Sequence, residues 1–512
     1  MADIMVDDPP ERVCTYCCGG FSRLKRVYVY LMITQIILFA ETGALPALLV
    51  PMTSSFKLSF AEQGYLGGIV YLGIALGAPF TSLLTKVMIP RTVLVLSMAV
   101  NLVLVVLFAS SPQGNTKYLI VLRFLIGVTQ ATVSVFCPVW VDRFAPKESQ
   151  ASWFSYLQIS VPAGILVGYI LGWGAIMWQD LYNSDPTIGC GGLACWRWPF
   201  LVQALATVPL CVLIQSLNSD LFDIEDRKGK VGDNDFDEKN DVGCCTKIVQ
   251  YFQDIFFIMS HFYFTVTVLI ITTIYFLLMS IQYWGTDYMV VGRGYNEHRV
   301  MGWFIFSCAT GPVFGSILGG MIVDCMGGYR GNITQRTKIV GFLTISLSIG
   351  VFCALISTTN PKAGLLWVLC CLWCVLFFGG LAMPALGGMY AASIPSAKLK
   401  ILGSAIQLVL VSVFAYFCCP VLAGHLMRRM EKQMVSCTNS KPGTCPEALE
   451  EGFRATLYSG PVGIFFCCIM LFGGLSLKGD RMMGEDQGKS GDRGEGEPLL
   501  KDGAGVVGPK ML

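Results

Sequence analysis

The chain has 512 residues, of which 54% are hydrophobic and only 14% are charged, and its formal net charge is +2. A water-soluble domain has about 25% charged residues, so this composition excludes an ordinary soluble protein. No basic tract is dense enough to bind nucleic acid, and we expect no nucleic-acid partner.

Twelve apolar stretches follow one another along the chain, and each is long enough to cross a lipid bilayer. A membrane-spanning helix needs about 20 mostly apolar residues. On this basis we predict an all-α, polytopic membrane protein with twelve transmembrane helices, which we call segments 1 to 12. Their predicted ranges are 27–50, 61–84, 92–110, 117–141, 151–177, 198–216, 258–284, 300–323, 338–358, 364–392, 401–424 and 455–477.

A charged stretch interrupts this series between segments 6 and 7, at 218–247. No bilayer-embedded helix can hold that run, because each charge would have to lose its water. We therefore predict two six-helix halves, which is how many secondary transporters are built. The predicted parts are a cytoplasmic N-terminal segment 1–26, an N-terminal half 27–217, a cytoplasmic connector 218–250, a C-terminal half 251–477 and a disordered cytoplasmic tail 478–512.

Lys and Arg are distributed unevenly between the two sides of this layout. If both termini lie in the cytosol, 24 of the 36 basic residues fall on the cytosolic side, 11 fall on the opposite side, and Arg123 lies inside segment 4. Such an excess is typical of cytoplasmic loops. We therefore predict that both termini and the connector face the cytosol. The helix ends on the opposite side are called the outer ends below.

Two cysteine pairs fall in loops at the outer ends: Cys190 with Cys195, and Cys437 with Cys445. In a protein of the secretory pathway these loops would face an oxidising compartment, so each pair is a candidate disulfide. Spacing alone does not fix the geometry that a disulfide requires, and free thiols remain the alternative.

Three further cysteines precede segment 1, beside basic residues: Cys14, Cys17 and Cys18. Cysteines in this position suggest reversible acylation. A metal site would be the alternative, but no histidine lies nearby, and we expect no metal site in the chain.

Two opposite charges lie inside the predicted bilayer, Glu41 in segment 1 and Arg123 in segment 4. Ionisable groups at such depth are costly and usually paired or functional. Both residues lie in the outer halves of their helices, so they could meet inside the first half. The pair could bind substrate or a proton, or it could be a static ion pair that joins two helices.

Several neutral polar and aromatic side chains are further candidates for a central site: Gln35, Gln130, Gln407, Tyr275 and Trp373. A buried Gln needs hydrogen-bond partners, and bonding between neighbouring helices is its commoner role in membranes. Aromatic residues there more often pack or anchor the helix at the interface.

Glycines recur at every fourth position in segment 5, at Gly164, Gly168 and Gly172, and at similar spacing in segment 8. Small residues with this spacing let helix backbones approach closely. The pattern indicates packing inside a bundle, or a close interface between the two halves that must open and close, and the two interpretations are compatible.

The end of segment 8 carries a more specific motif, with Gly320, Asp324, Gly327 and Arg330. This resembles the signature that follows the second helix of a half in the major facilitator superfamily. The resemblance implies that Asp324 caps a helix and pairs with a basic residue to form a cytoplasmic gate. Cys325 stands where the family has a basic residue, and the corresponding loop of the first half, 77–91, has no Asp.

Several stretches are similar to the spinster-like branch of that superfamily: 43–46, 123–138, 196–200, 394–395 and Gln407. The resemblance implies transport of a lysolipid or sphingolipid, coupled to protons through acidic residues of segments 1 and 4. This chain has Ile37 and Leu38 where the family has an Asp-Arg pair, and Gln130 where it has Glu. Glu41, one turn away, is the candidate replacement.

These features lead us to expect a monomeric secondary transporter that moves a small organic solute or a lysolipid by alternating access. It would need no cofactor and would be proton-coupled or facilitative. A receptor or scaffold with the same fold is the alternative. The chain has no nucleotide P-loop, zinc-hydrolase or serine-hydrolase motif, so we expect no enzymatic activity.

The C-terminal tail contains a sorting pattern formed by Glu495, Leu499 and Leu500. An acidic residue followed by two leucines is read by cytosolic adaptor proteins. The pattern favours an endolysosomal or vacuolar membrane, with the plasma membrane as the alternative.

Overall fold

The computed structural model describes residues 20–146, 150–181, 190, 193–222, 253–326, 333–360, 363–392, 397–438 and 440–459. Within these ranges, eleven helices are long and apolar enough to cross a membrane. Segment 12 is described only as far as residue 459. The predicted all-α membrane fold is confirmed. The N-terminal cysteines, most of the connector, Gly327, Arg330 and the tail lie outside the described ranges.

Among its described residues the first half contains seven α-helices, because a short helix follows the first membrane crossing. They are α1 (Gly20–Ala47), α2 (Leu49–Phe56), α3 (Phe60–Val87), α4 (Pro90–Ala109), α5 (Thr116–Phe144), α6 (Gln150–Leu181) and α7 (Trp198–Ser216). The chain provides local start signals for several of them. The Glu62 carboxylate accepts from the backbone N–H of Ser59 at 2.9 Å, Asn115 caps α5, and Pro90 begins α4. Each signal satisfies or removes a backbone donor that a helix start leaves unpaired.

The second half continues the same pattern. Its helices are α8 (253–260), α9 (Phe262–Asp287), α10 (Glu297–Cys325), α11 (Ile333–Thr359), α12 (Leu365–Ala392), α13 (Ala397–Leu410), α14 (Cys418–Gln433) and α15 (446–459). Two π-helical stretches extend them. Tyr288–Gly292 continues α9, and Val411–Phe417 joins α13 to α14.

Two predicted helix ends were wrong in ways that matter for function. Segment 7 was predicted to end at 284, but α9 continues to Asp287 and therefore includes a carboxylate. Segment 12 was predicted to begin at 455, but α15 already begins at 446. The first turns of α15 carry Glu447, Glu450 and Glu451, so a search for apolar runs excludes them although they are helical.

The glycines of α6 pack against α1 of the same half. A methyl group on Gly168 would lie 1.8 Å from the carbonyl oxygen of Ala40, and one on Gly164 would lie 2.5 Å from that of Ile36. Gly172 faces Ala47. In the second half, Gly315 and Gly319 of α10 approach α12 in the same way. Of the two interpretations of these glycines, the structure therefore supports packing inside each half and not an interface between the halves.

We expect Gly168→Ala to destabilise the protein, because the added methyl group has no room against α1. Overpacking of this kind costs about 1–3 kcal/mol. Gly174→Ala on the same helix is the matched control, since a methyl group there meets nothing within 4 Å. Thermal unfolding of the purified variants checks this. Equal melting temperatures for the two variants would contradict the α1–α6 packing.

The two halves contact each other at their outer ends, where α3 begins, α6 and α9 end, α10 begins and α14 ends. We call this set of contacts the outer boundary. Its closest approach is between α3 and α14. A methyl group on Gly64 would lie 2.2 Å from the carbonyl oxygen of Pro420, and one on Gly424 would lie 2.3 Å from that of Phe60. A methyl group on Gly68 would lie 2.5 Å from the carbonyl oxygen of Phe417.

Hydrogen bonds extend the outer boundary on both sides of this contact. Gln63 donates to the carbonyl oxygen of Gly443 at 3.0 Å, and Tyr283 donates to the carbonyl oxygen of Gln63. On the α6 side, Tyr169 donates to the carbonyl oxygen of Gln282. All of these bonds join one half to the other, so each must break for the outer ends to separate.

A histidine of the second half is held by two residues of the first half at the same boundary. The indole N–H of Trp173 donates to Nδ1 of His298 at 3.2 Å, and Nε2 of His298 lies 3.0 Å from Asp180. Because Trp173 is a donor, this arrangement requires an unprotonated Nδ1 and places the ring proton on Nε2.

Candidate functional site

Glu41 and Arg123 form an ion pair inside the first half. Glu41 lies on α1 and Arg123 on α5, and neither side chain is exposed. The Arg123 Nη1 and Glu41 Oε2 atoms are 2.5 Å apart. Both charges are thus compensated in the membrane interior, where an unpaired charge would be costly.

Gln130 completes this constellation from the same face of α5. It lies seven residues after Arg123, which is two helical turns. Its amide donates to Glu41 Oε1 at 2.9 Å and to the carbonyl oxygen of Leu38 at 2.8 Å. Glu41 therefore receives a charged partner and a neutral partner from one helix.

Arg123 is also held by groups other than Glu41. Its Nε donates to the carbonyl oxygen of Leu66 on α3 at 3.3 Å, and its guanidinium lies 6.0 Å from the centre of the Phe108 ring. The Arg123 side chain thus connects α5 to α1, α3 and α4. A change in the protonation of Glu41 would therefore affect a side chain that contacts all four helices.

Two buried polar atoms of this constellation have no hydrogen-bond partner among the residues that the structure describes. They are Nη2 of Arg123, which is a donor, and Oε1 of Gln130, which is an acceptor. Buried polar atoms are normally satisfied, so unsatisfied ones at a charged centre indicate a place where a polar group can bind. The constellation can accept a proton at Glu41 and can hold an anionic or polar group at Arg123.

Gln35 and Tyr275 make contacts of two different kinds. Gln35 is buried and accepts a hydrogen bond from Ser160 of α6, so it joins two helices of the first half. Tyr275 packs against Tyr416 at 5.4 Å, and Tyr416 stacks on Tyr71 of the first half at 4.5 Å. Tyr275 therefore supports an aromatic contact between the halves.

The remaining predicted residues lie away from the ion pair. Trp373 donates to Thr310 at 2.9 Å and stacks on Phe377, which places it in the packing of α12 against α10. Gln407 is half-buried on α13, and Asp324 is exposed in the last turn of α10. The gate partners predicted for Asp324 lie outside the described residues, so that role stays a prediction.

The structure joins both cysteine pairs as disulfides, Cys190–Cys195 and Cys437–Cys445. The second disulfide closes the loop that presents Gly443 to the outer boundary. Gly443 has a φ of 75°, and a methyl group on it would lie 2.1 Å from the carbonyl oxygen of Leu58. Only glycine adopts this conformation freely, so the residue fits both its turn and its close contact.

Sequence reasoning missed the glycines of the outer boundary and one buried carboxylate. Gly64 and Gly68 have the same four-residue spacing that singled out segment 5, so the same rule could have found them. Asp287 was placed in a loop because segment 7 was ended three residues too early. Its burial, at 6% exposure, could not be read from the sequence.

The sequence profile of the Major Facilitator Superfamily matches residues 31–417, which include the ion pair, nearly all of the predicted N-terminal half and the larger part of the predicted C-terminal half. The chain belongs to the Major Facilitator Superfamily. The predicted family is thereby confirmed, and the transmembrane layout agrees with it.

Two relatives of this superfamily member illustrate the similarity. The probable sphingolipid transporter spinster homolog 3 of Arabidopsis thaliana is 24% identical over 158 residues, which cover 31% of this chain and 27% of that protein. The D-xylose transporter of Levilactobacillus brevis is 24% identical over 187 residues, which cover 36% of this chain and 37% of that protein. The matched parts thus span well under half of either relative.

A crystal structure shows the same fold over almost its whole length. It is that of a bacterial homologue of the human lysosomal transporter Spinster, in an inward-facing and occupied conformation. The TM-score is 0.68 at 13% sequence identity, and the match covers 91% of this chain and 98% of that chain. The predicted similarity to spinster-like proteins is confirmed at the level of sequence fragments and fold.

Proposed function

We propose that this protein is a secondary transporter that moves a small organic solute or a lysolipid across a membrane by alternating access. One observation carries the proposal. The two halves of a Major Facilitator fold are joined at the outer boundary by hydrogen bonds and close helix contacts, all of which must break for the outer side to open. With the predicted orientation, the structure corresponds to a state closed on the outer side.

The Glu41–Arg123–Gln130 constellation is the proposed coupling centre. A proton on Glu41 would remove its charge and weaken its attraction to Arg123. Arg123 would then be left with an uncompensated guanidinium, which favours a substrate carboxylate or phosphate as a new partner. Release of that anion and of the proton would restore the ion pair. Coupling in this form links one proton to one anionic group.

The proposed substrate class follows from the groups that the constellation offers to a ligand. The relatives' names include a sphingolipid transporter and a D-xylose transporter, at equal sequence identity. A lysolipid with a phosphate head group would satisfy Arg123, whereas a neutral sugar would satisfy only the Gln130 amide. We therefore propose an amphiphile or solute with an anionic group.

Reconstitution into liposomes tests the proposed function. The purified protein is assayed for uptake of a radiolabelled lysophospholipid, a sphingoid base phosphate and D-xylose, with and without an inward proton gradient. We expect saturable uptake of an anionic substrate that rises with the gradient. Absence of protein-dependent uptake of every substrate, in liposomes that contain folded protein, would contradict transport and favour a receptor or scaffold.

The membrane in which the protein acts is a separate proposal. We propose an endolysosomal or vacuolar membrane, because Glu495, Leu499 and Leu500 form an acidic dileucine pattern. Replacing Leu499 and Leu500 by Ala is expected to move the protein toward the cell surface, since an adaptor protein would no longer recognise the tail. Surface biotinylation of both forms measures this. An unchanged surface fraction would show that the pattern is a chance match.

A further inference from the structure

Asp287 is a buried carboxylate at the outer boundary. It is the last residue of α9, and its exposure is 6%. Tyr283, one turn earlier on the same face, donates to the carbonyl oxygen of Gln63 on α3. The adjacent Gln282 accepts from Tyr169 of α6. The turn that carries Asp287 is thus held directly against two helices of the first half.

The titratable groups close enough to Asp287 to interact with it electrostatically come from three helices. They are Glu297 on α10, Tyr169 on α6 and Tyr283 on α9 itself. None of them is a cation, and Glu297 is a second carboxylate. Within the part of the chain that the structure describes, no hydrogen bond or ion pair to the Asp287 carboxylate is found. The nearby basic residue Arg293 is directed instead to Glu450 and Tyr288.

These surroundings stabilise only one charge state of Asp287. An ionised carboxylate that is largely removed from water and has no cation carries a cost of desolvation, and a nearby carboxylate adds repulsion. A proton on the carboxyl oxygen removes both costs. Separation of the halves would instead expose Asp287 to water, because the hydrogen bonds of Tyr283 and Gln282 hold this end of α9 against α3 and α6.

We propose that Asp287 is a second protonation site of the transport cycle, protonated while the outer boundary is closed and ionised when it is open. This inference rests on the proposed function. Opening breaks the O–H bond and passes the proton to water on the outer side. Reclosing takes a proton from hydronium on that side, forms the O–H bond again and leaves water. The site thereby links closure of the outer boundary to proton uptake there.

The test uses the purified full-length protein and its melting temperature from acidic to mildly basic pH. We expect the wild-type melting temperature to fall as the pH rises, because the closed protein has to release the proposed proton from Asp287 and is left with an ionised carboxylate that has no cation beside it. The melting temperature of Asp287→Asn should not decrease in this way, since an amide does not ionise. Asp287→Glu should keep the decrease, and so should Glu447→Gln, which replaces an exposed carboxylate near the same boundary.

Two results would overturn the inference. One is a wild-type pH profile in Asp287→Asn. The other is a melting temperature that does not depend on pH but changes when choline replaces sodium at constant ionic strength. Both readouts are independent of transport. If uptake assays fail while the Asp287→Asn profile is flat, the protonation site stands and the transport function falls. If uptake succeeds and the pH profile of Asp287→Asn equals that of the wild type, the transport function stands and the protonation site falls.

Discussion

Replacement of Arg123 alone is expected to abolish transport and to destabilise the protein, whereas replacement of both Arg123 and Glu41 restores much of the stability. Arg123→Met leaves the Glu41 carboxylate buried without a cation. Breaking a buried ion pair on one side costs about 3–5 kcal/mol, while removing both charges is often nearly neutral. Arg123→Lys should rescue poorly, because an ammonium lacks the planar fork of the guanidinium.

A double-mutant cycle of melting temperatures measures this effect in Glu41→Gln, Arg123→Met and the double variant. The matched control is the ion pair of Arg454 with Glu451, whose side chains are 25% and 44% exposed. An exposed pair contributes only about 0.2–1 kcal/mol. If the buried pair gave a coupling no larger than the exposed pair, the constellation would not be the charged centre of the first half.

The Glu41→Gln variant separates coupling from binding. A glutamine keeps the size and hydrogen bonding of the side chain but cannot carry the proton. Uptake by Glu41→Gln should therefore proceed without dependence on the proton gradient. Retention of the wild-type gradient dependence would show that another group, such as Asp287, carries the coupled proton alone.

The second large effect is expected from glycines at the outer boundary. Gly64→Ala and Gly424→Ala should prevent the outer ends from closing, because each added methyl group meets a backbone carbonyl oxygen of the opposite half at 2.2 and 2.3 Å. Alanine favours a helix over glycine by about 1 kcal/mol, so loss of closure would not come from weakening of the helix. The protein should remain folded but trapped with its outer side open, and transport should be lost.

Gly341→Ala on α11 is the control for this prediction, since a methyl group there meets nothing within 4 Å. The outer opening can be followed by fluorescence transfer between labels on noncanonical amino acids at Leu181 and Val435, both exposed near outer ends. This labelling avoids the 21 native cysteines. A label distance in Gly64→Ala equal to that of Gly341→Ala would contradict the assigned contact.

The membrane layout was predictable because its signals are local. A run of apolar residues indicates a spanning helix, and the charged stretch after segment 6 indicates a break between the two halves. Helix ends were harder where polar residues continue a helix. Hydropathy excludes polar residues from a predicted spanning segment whether or not they are helical. It therefore missed the carboxylates of α15, and it could not show that Asp287 of α9 is buried.

The candidate site was predictable only in part. Glu41 and Arg123 stood out because charges in apolar helices are rare, and their similar depth indicated that they could meet. Gln130 contributes to the site because its spacing from Arg123 places both side chains on the same face of α5. The partner surface of a glycine could not be read from spacing alone, since Gly168 and Gly64 have the same pattern and face different helices. That choice depends on the orientation of each helix in the bundle.

The distance between labels at Leu181 and Val435 in wild-type protein tests alternating access most directly. In lipid nanodiscs, we predict two populations, a short distance for the closed outer boundary and a longer one for its open state. Acidic pH should increase the short-distance population, because closure takes up a proton. A single distance that stays constant with pH, and that Gly64→Ala does not change, would contradict movement of the two halves at this boundary.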